Sequence, residues 1–276
     1  MVSYLGPSGS FTQEAAIKRF GARARLEAGT TIGEVFESVE AGRAQSGVVP
    51  IYNSTGGFVN DTLDELLRVE FSRSGCQIAE QLEMDIHLCL MGRGTAGRIR
   101  RIYTHPIPLK HSRGWVKRAY PQAELIPATS TSEAAKRVSK ERDSAAIGSK
   151  AAASLYGLHV LDVVKGINKR NRTQFITFGR HALGRITNAR TAIGFGLAHR
   201  PGTLAAVLTE LANHKVNLTR IVSRPLPGKA GEYVFLVDFE GDRRSQHVQD
   251  ALDRVRKSTM FLRVLGTYQV VPRFRS

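Results

Sequence analysis

The sequence predicts an α/β protein in two parts: an alternating strand–helix region up to Phe175, then a region of ferredoxin-like β-α-β-β-α-β order. Three observations carry that reading. Short apolar runs alternate with capped helical stretches in the first part. The segment Ala182–Arg190 reads as a linker. Beyond it, Leu204, Val207, Leu208, Leu211 and again Val248, Ala251, Leu252, Val255 recur at i, i+3, i+4, i+7, so each stretch is a helix offering one apolar stripe to a sheet.

Val2–Leu5 predicts a buried strand running into the turn Gly6-Pro7-Ser8-Gly9, after which Ser10 or Thr12 caps a helix over Gln13–Phe20. Thr31 with Glu34 forms a capping box for a helix ending near Gly42, and Ser46–Ile51 is the next strand. The loop Asn53–Gly57 leads to a helix around Leu63, Leu66 and Leu67. Ile78–Met91 predicts one apolar stretch with polar alternation. Arg101–Thr104 is a short strand ending at His105-Pro106, with Leu109–Ala119 as its helix. Ser130 and Glu133 cap a helix through Val138, Ser144–Ile147 is a strand, and Ser149 starts a helix closed by Gly157. The second part runs strand Thr191–Ala198, helix Thr203–His214, strands Leu218–Pro225 and Glu232–Phe239, helix Gln246–Arg256, strand Leu262–Val271.

With 276 residues, 42% apolar and 23% charged, the chain buries a full core and suits about two domains, which excludes disordered and collagen-like classes. No run approaches the roughly 18 consecutive apolar residues of a membrane span. Met1–Leu5 enters a strand without a basic-then-apolar leader, so the expectation is a cytoplasmic protein with no membrane partner. Cys76 and Cys89 are too few for a disulfide framework and read as buried, reduced thiols. The net charge of +16 attracts anions, but no aromatic residues interleave the dense clusters Arg98–Arg101 and Lys169–Arg172. A solvated basic surface, not nucleic-acid binding, is the reading. His87, His105 and His111 lack metal-ligand spacing, so no metal or cofactor is expected.

Ligands of α/β sheets sit at the carboxyl ends of strands. The segments to inspect are therefore Gly6–Thr12, Tyr52–Gly57, Thr104–His111, Thr129–Thr131 and the surroundings of Thr173, all rich in hydroxyls and small residues. Amides at capped helix starts, with hydroxyls beside them, suit carboxylates without a metal. Each segment taken alone reads more readily as an ordinary cap, since capping serines and threonines are common.

Six motifs then follow in order: Gly6-Pro7-Ser8-Gly9-Ser10-Phe11; Val49-Pro50-Ile51-Tyr52-Asn53-Ser54 with Gly57, Val59 and Thr62-Leu63-Asp64; Tyr103-Thr104-His105-Pro106; Ser130-Thr131 with Ala134-Ala135; Ala145-Ala146-Ile147 through Tyr156-Gly157-Leu158; and Asn171-Arg172-Thr173-Gln174-Phe175. Pro201-Gly202-Thr203-Leu204 and Val222-Ser223-Arg224-Pro225 come after them. Across nearly the whole chain this resembles the prephenate dehydratases with their C-terminal ACT regulatory domain. The resemblance implies a bilobal, periplasmic-binding-protein-like catalytic region over 1–181, with lobe one at about 1–77 plus 170–181 and lobe two at about 78–169. It also implies an ACT domain over 190–272 that binds phenylalanine or a related amino acid at a subunit interface, feeds back on phenylalanine biosynthesis, and makes a homodimer or homotetramer.

Prephenate carries a ring carboxylate and a hydroxyl at the opposite ring carbon, and losing carbon dioxide with water gives phenylpyruvate. The protein must bind two carboxylates, align the departing groups and stabilise the leaving hydroxide. By the resemblance Thr173 is the catalytic threonine, donating a hydrogen bond to the leaving oxygen, and Asn53 holds the substrate or that oxygen through its amide. Ser8, Ser54, Thr55, Ser130 and Thr131 are candidates for carboxylate contacts, with Phe175 beside them.

Several positions depart from the family. Tyr52 replaces a glutamate, Thr104 a serine, Ile107 and His111 glutamines, Gln174 an arginine, and an aspartate is missing near Ile167. Tyr52 and Gln174 read as a paired exchange of an ion pair for a neutral hydrogen bond at the substrate site. His111 can supply a proton or a carboxylate partner. Alternatives stay open: a non-aromatising prephenate decarboxylase, an enzyme of a substituted prephenate such as the 4-amino analogue, or an amino-acid-sensing protein without catalysis. In the ACT segment Gly202, Thr203, Leu204, Asn217, Leu218, Ser223, Arg224 and Pro225 are the effector candidates, with Val222 replacing a glutamate and Thr203 an alanine.

Overall fold

The chain is described by a computed structural model over residues 1–94, 99–165, 171–180, 186–226 and 232–274. Arg98, Lys169, Arg170, the vicinity of Ile167 and 182–185 of the linker lie outside the described residues.

The first elements are β1 (Val2–Leu5), α1 (Phe11–Phe20), β2 (Leu26–Gly29), α2 (Ile32–Glu40), β3 (Ser46–Asn53), the short β4 (Gly57–Phe58), α3 (Asn60–Leu67) and α4 (Val69–Arg73). Of the two cap candidates, Ser10 is the one used: its hydroxyl accepts from the Gln13 amide at 3.2 Å. β2 escapes the apolar pattern because it is an edge strand, with two of its four residues exposed.

β5 (Gln77–Asp85) and β6 (Cys89–Gly92) correct the single stretch expected over Ile78–Met91. The strand breaks at Ile86–Leu88, where the chain passes from one sheet to the other. Ile86 donates to the Asn171 carbonyl at 2.8 Å, and Val164 donates to the Leu88 carbonyl at 3.1 Å. The second sheet holds β6, β7 (Arg101–Thr104), β8 (Glu124–Pro127), β9 (Ser144–Gly148) and β10 (His159–Val163), in the order β10-β6-β9-β7-β8. Its helices are α5 (Pro106–Ala119), α6 (Thr131–Val138) and α7 (Lys150–Leu155). α5 begins three residues earlier than the apolar spacing indicates. Proline at the first helical position needs no amide partner, and His105 caps the start.

The chain returns to the first sheet through β11 (Arg172–Gly179) and continues as β12 (Ala189–Leu197), α8 (Thr203–Asn213), β13 (Leu218–Pro225), β14 (Tyr233–Glu240), α9 (Gln246–Lys257) and β15 (Phe261–Val270). This is the β-α-β-β-α-β order read from the sequence. Its sheet is continuous with that of lobe one, in the order β13-β14-β12-β15-β5-β11-β3-β1-β2, because Gln269 and Val270 of β15 pair in parallel with Glu80 and Gln81 of β5. Val207, Leu211, Val248, Ala251, Leu252 and Val255 fill the core under α8 and α9. Among the described residues no helix is long and apolar enough to cross a membrane.

Candidate active site

Between the two sheets lies a cavity of about 610 Å³, walled by the loops that follow β1, β3, β7 and β8 and by the start of β11. Strand ends and helix starts converge there for a simple reason: in a parallel strand–helix unit the carboxyl end of the strand delivers the chain to the amino end of the helix. α1, α5 and α6 all begin at this cavity, capped by Ser10, His105 and Ser130. The Ser130 hydroxyl accepts from the Glu133 amide at 2.9 Å. No lysine or arginine is among the described residues of the wall. The cavity therefore meets an anion with helix starts and the hydroxyls of Thr12, Thr30, Thr129, Ser130 and Thr131 rather than with fixed cations, the Ser10 hydroxyl being turned to the Leu5 carbonyl.

Thr173 and Asn53 face each other across the paired strands β11 and β3. Thr173 is buried, with 8% of its surface exposed. The Asn53 amide nitrogen donates to Thr173 Oγ1 at 2.9 Å, to Asn171 Oδ1 at 2.9 Å and to the Arg172 carbonyl at 3.2 Å. Its oxygen accepts from the Thr55 amide at 2.9 Å, the Thr55 hydroxyl at 2.6 Å and the Gly56 amide at 2.9 Å. Both ends of the Asn53 side chain are thus engaged with protein. Thr173 Oγ1 receives one bond, so its own hydrogen is left to donate.

His111, Thr55, Ser130, Thr131 and Phe175 line the same cavity as Thr173 and Asn53. His105 lines it too, and burial pushes its imidazole below the ordinary histidine range. The neutral ring fits its place as cap: Nδ1 accepts from the Ile107 amide at 3.4 Å.

Five of the expected residues lie elsewhere. Thr104 is fully buried and its hydroxyl donates to the Ile147 carbonyl at 2.9 Å, so it closes the floor of β7 instead of facing a ligand. Ser54 accepts from the Arg172 amide at 2.9 Å, which fastens the β3 turn to β11. Ser8 bonds the Tyr4 hydroxyl at 3.2 Å, and its carbonyl accepts from the Ser132 hydroxyl. Together with the Ser149 hydroxyl, which donates to the Gly9 carbonyl at 2.7 Å, that bond clips the first turn of lobe one onto α6 and α7 of lobe two.

Tyr52 and Gln174 are register partners on β3 and β11, one residue from Asn53 and Thr173, and side chains alternate along a strand. They therefore face away from the cavity, into a separate groove of about 300 Å³ shared with Phe58, Arg190, Thr219, Arg220 and Ile221. The Gln174 side chain accepts from Arg220 at 2.9 Å, not from Tyr52, and the Tyr52 ring sits 5.1 Å from that of Phe58. The paired exchange expected at the substrate site is instead part of the contact with the second region. Sequence reasoning missed Arg220, and strand alternation around Thr173 was the signal that pointed there.

In the second region Thr203 and Leu204 line a cleft of about 80 Å³ with Leu197, Tyr233 and Phe235. Gly202 caps α8 at φ 84°, a conformation suited to glycine. Ser223 and Pro225 pair with Phe235 and Tyr233. Arg224 instead makes two bonds to the Asp64 carboxylate of α3, at 2.7 and 2.6 Å. Asn217 donates to Glu240 at 3.0 Å, and Leu218 packs on the core under α8 and α9.

A family profile for prephenate dehydratase matches residues 2–183, and one for the ACT domain matches 191–257. A bifunctional chorismate mutase/prephenate dehydratase of Pseudomonas aeruginosa is 38% identical over 97% of this chain and 72% of its own length. The crystal structure of a prephenate dehydratase from Arthrobacter aurescens in complex with L-Phe superposes with a TM-score of 0.89 at 32% identity, covering 97% of this chain and 89% of that one. A structure described as GqqA, a novel type of quorum quenching acylases, superposes with a TM-score of 0.87 at 25% identity over 98% of both chains, so the fold alone does not name the reaction. On the strength of the profile over two thirds of the chain and of relatives that align with nearly all of it, the chain belongs to the prephenate dehydratase family.

Proposed function

We propose that this chain converts prephenate to phenylpyruvate by eliminating carbon dioxide and water, with Thr173 as hydrogen-bond donor to the departing hydroxyl. The observation that carries the reading is the Asn53–Thr173 contact, which fixes the threonine oxygen from one side and leaves its hydrogen to donate toward the cavity. As the carboxylate leaves as carbon dioxide, its bonding pair enters the ring and the ring expels hydroxide, becoming aromatic. A donor aimed at that oxygen stabilises the charge that develops there. Threonine is too weak an acid to be deprotonated outright, so it donates a hydrogen bond or relays a proton.

The starts of α1 and α6, with Ser130 and Thr131, take the two carboxylates, while Thr55, whose amide and hydroxyl both donate to Asn53, steadies that side chain. His111 serves a carboxylate, and Phe175 walls the ring. In this reading Asn53 is a positioning residue.

The second region binds phenylalanine or a related amino acid. Asn217 and Leu218 lie at the opposite end of β13 from Ser223–Pro225, about 20 Å of extended strand away, too far for one small molecule to touch both. An effector site using all of them takes its two halves from two chains, which favours a homodimer or homotetramer. The protein works in the cytoplasm.

The test is to incubate the protein with prephenate near neutral pH, identify products by mass and proton NMR, and run Thr173→Ala alongside. Phenylpyruvate that disappears in the variant supports the reading. A non-aromatic product that has lost carbon dioxide but kept its hydroxyl makes the enzyme a decarboxylase, and no turnover sinks both.

A further inference from the structure

We propose that Arg220, on strand β13 of the ACT domain, is a positioning residue for Thr173. The inference rests on the reading that Thr173 carries the elimination.

The sheet coils so that its edge strand β13 returns over lobe one. From Arg220 on, its even-numbered side chains face that lobe: Val222 packs on the lobe-one core, Arg224 grips Asp64, and Arg220 lies between β13 and two strands of the catalytic sheet. One Arg220 nitrogen donates to Gln174 on β11 at 2.9 Å and to Gln81 on β5 at 3.1 Å. Another meets the Asp238 carboxylate at 2.8 Å, and that same carboxylate oxygen accepts from the Tyr268 hydroxyl at 2.9 Å. Asp238 is 2% exposed and the Arg220 side chain 10%.

Such a pair is dry, directional and hard to rearrange. A buried carboxylate holds its arginine in one place because any departure leaves the charge uncompensated. Burial accordingly pushes the Asp238 carboxyl upward while Arg220 pulls it back down.

The residue so gripped adjoins the catalytic one. β11 pairs regularly with β5 through Thr173 and Gln174, which lie opposite Met84 and Glu83, and on its other side departs from regular pairing with β3 just after Gln174. Two side-chain contacts add to that backbone pairing: Asn53 holds Thr173 from the cavity face, and Arg220 holds Gln174 from the opposite face. The family resemblance places an arginine at 174. Here the guanidinium at this spot comes from the ACT domain, which ties the position of the catalytic hydroxyl to the docking of β13.

Three proteins decide it: Gln174→Met, which leaves the Arg220–Asp238 pair intact and therefore folds, Arg220→Gln, and the double variant. Losing one charge-assisted hydrogen bond that acts only through geometry lowers kcat for prephenate about tenfold in Gln174→Met, and Arg220→Gln, which also strips Asp238 of its partner, lowers it at least as much. KM stays within about twofold, and the double is no worse than the poorer single, as expected of two residues acting as one unit. An unchanged kcat in Gln174→Met overturns the proposal, as do multiplying losses in the double, or a raised KM at constant kcat, which would make Gln174 a substrate contact. The Thr173 methyl resonance in the free protein reads the same link without turnover. It shifts in both single variants if Arg220 positions Thr173, and a resonance that stays put overturns the proposal even where wild-type turnover and its loss in Thr173→Ala uphold the reaction.

Discussion

The Asn53 amide nitrogen lies 2.9 Å from Thr173 Oγ1, and the oxygen of the same amide is enclosed by three donors from Thr55 and Gly56. The turn therefore dictates which end of the amide meets the threonine, and the threonine is left with a hydrogen to give.

This orientation separates two substitutions. Asn53→Ala removes one restraint on Thr173 and lowers kcat about 10- to 100-fold. Asn53→Asp does more damage, about 1,000-fold, because a carboxylate oxygen would face Thr173 Oγ1, Asn171 Oδ1 and the Arg172 carbonyl, and the threonine hydrogen would turn back to it. Steady-state kinetics on prephenate checks the order, and an aspartate variant as active as the alanine one contradicts it.

Gly9 clips the lobes together. It sits at φ 81°, and a Cβ there would lie 2.8 Å from Ser132 Oγ and 3.1 Å from Ala152 Cα. Gly9→Ala combines left-handed strain of about 1–2 kcal/mol with a clash at the contact between the first turn and α6 and α7. Denaturant unfolding should show a loss of about 2 kcal/mol or more, and kcat should fall with it because the cavity lies beside the clip.

His105 makes folding sensitive to acid. Its imidazole is held below the usual value of about 6.5 by burial, so the unfolded chain binds a proton that the folded chain refuses. The stability it contributes is complete above that usual value and is lost as pH falls toward the lowered one. His105→Asn keeps a capping acceptor and removes the titration. Melting temperatures of the variant should therefore decline less than those of the wild type between neutral pH and pH 5.

Cys89 and Cys76 are both buried and free. Burial pushes the Cys89 thiol up to about 11, so at pH 8 it is almost wholly protonated. Iodoacetamide should label Cys89 only as fast as the protein opens, with the rate rising across the unfolding transition. Rapid labelling of the native protein would contradict the burial.

What the sequence determined on its own is whatever is local or periodic. Ser10, Thr31, Ser130 and Ser149 start helices because a side-chain oxygen a few residues from an orphan amide needs no distant partner. The stripes of α8 and α9 announce a sheet to lie on, and the motif order places Thr173, Asn53, Thr55, His111, Ser130, Thr131 and Phe175 at one cavity. Tertiary structure decided what depends on facing and on distant pairing. Alternation along β3 and β11 sends Tyr52 and Gln174 to the opposite side from Asn53 and Thr173, Thr104 turns into the core, and the edge strands β2 and β8 form by pairing without a full apolar run. Arg220 meets Gln174 46 residues away only because the sheet coils back on itself, and no local spacing encodes a contact that two separate strands make through the folded sheet.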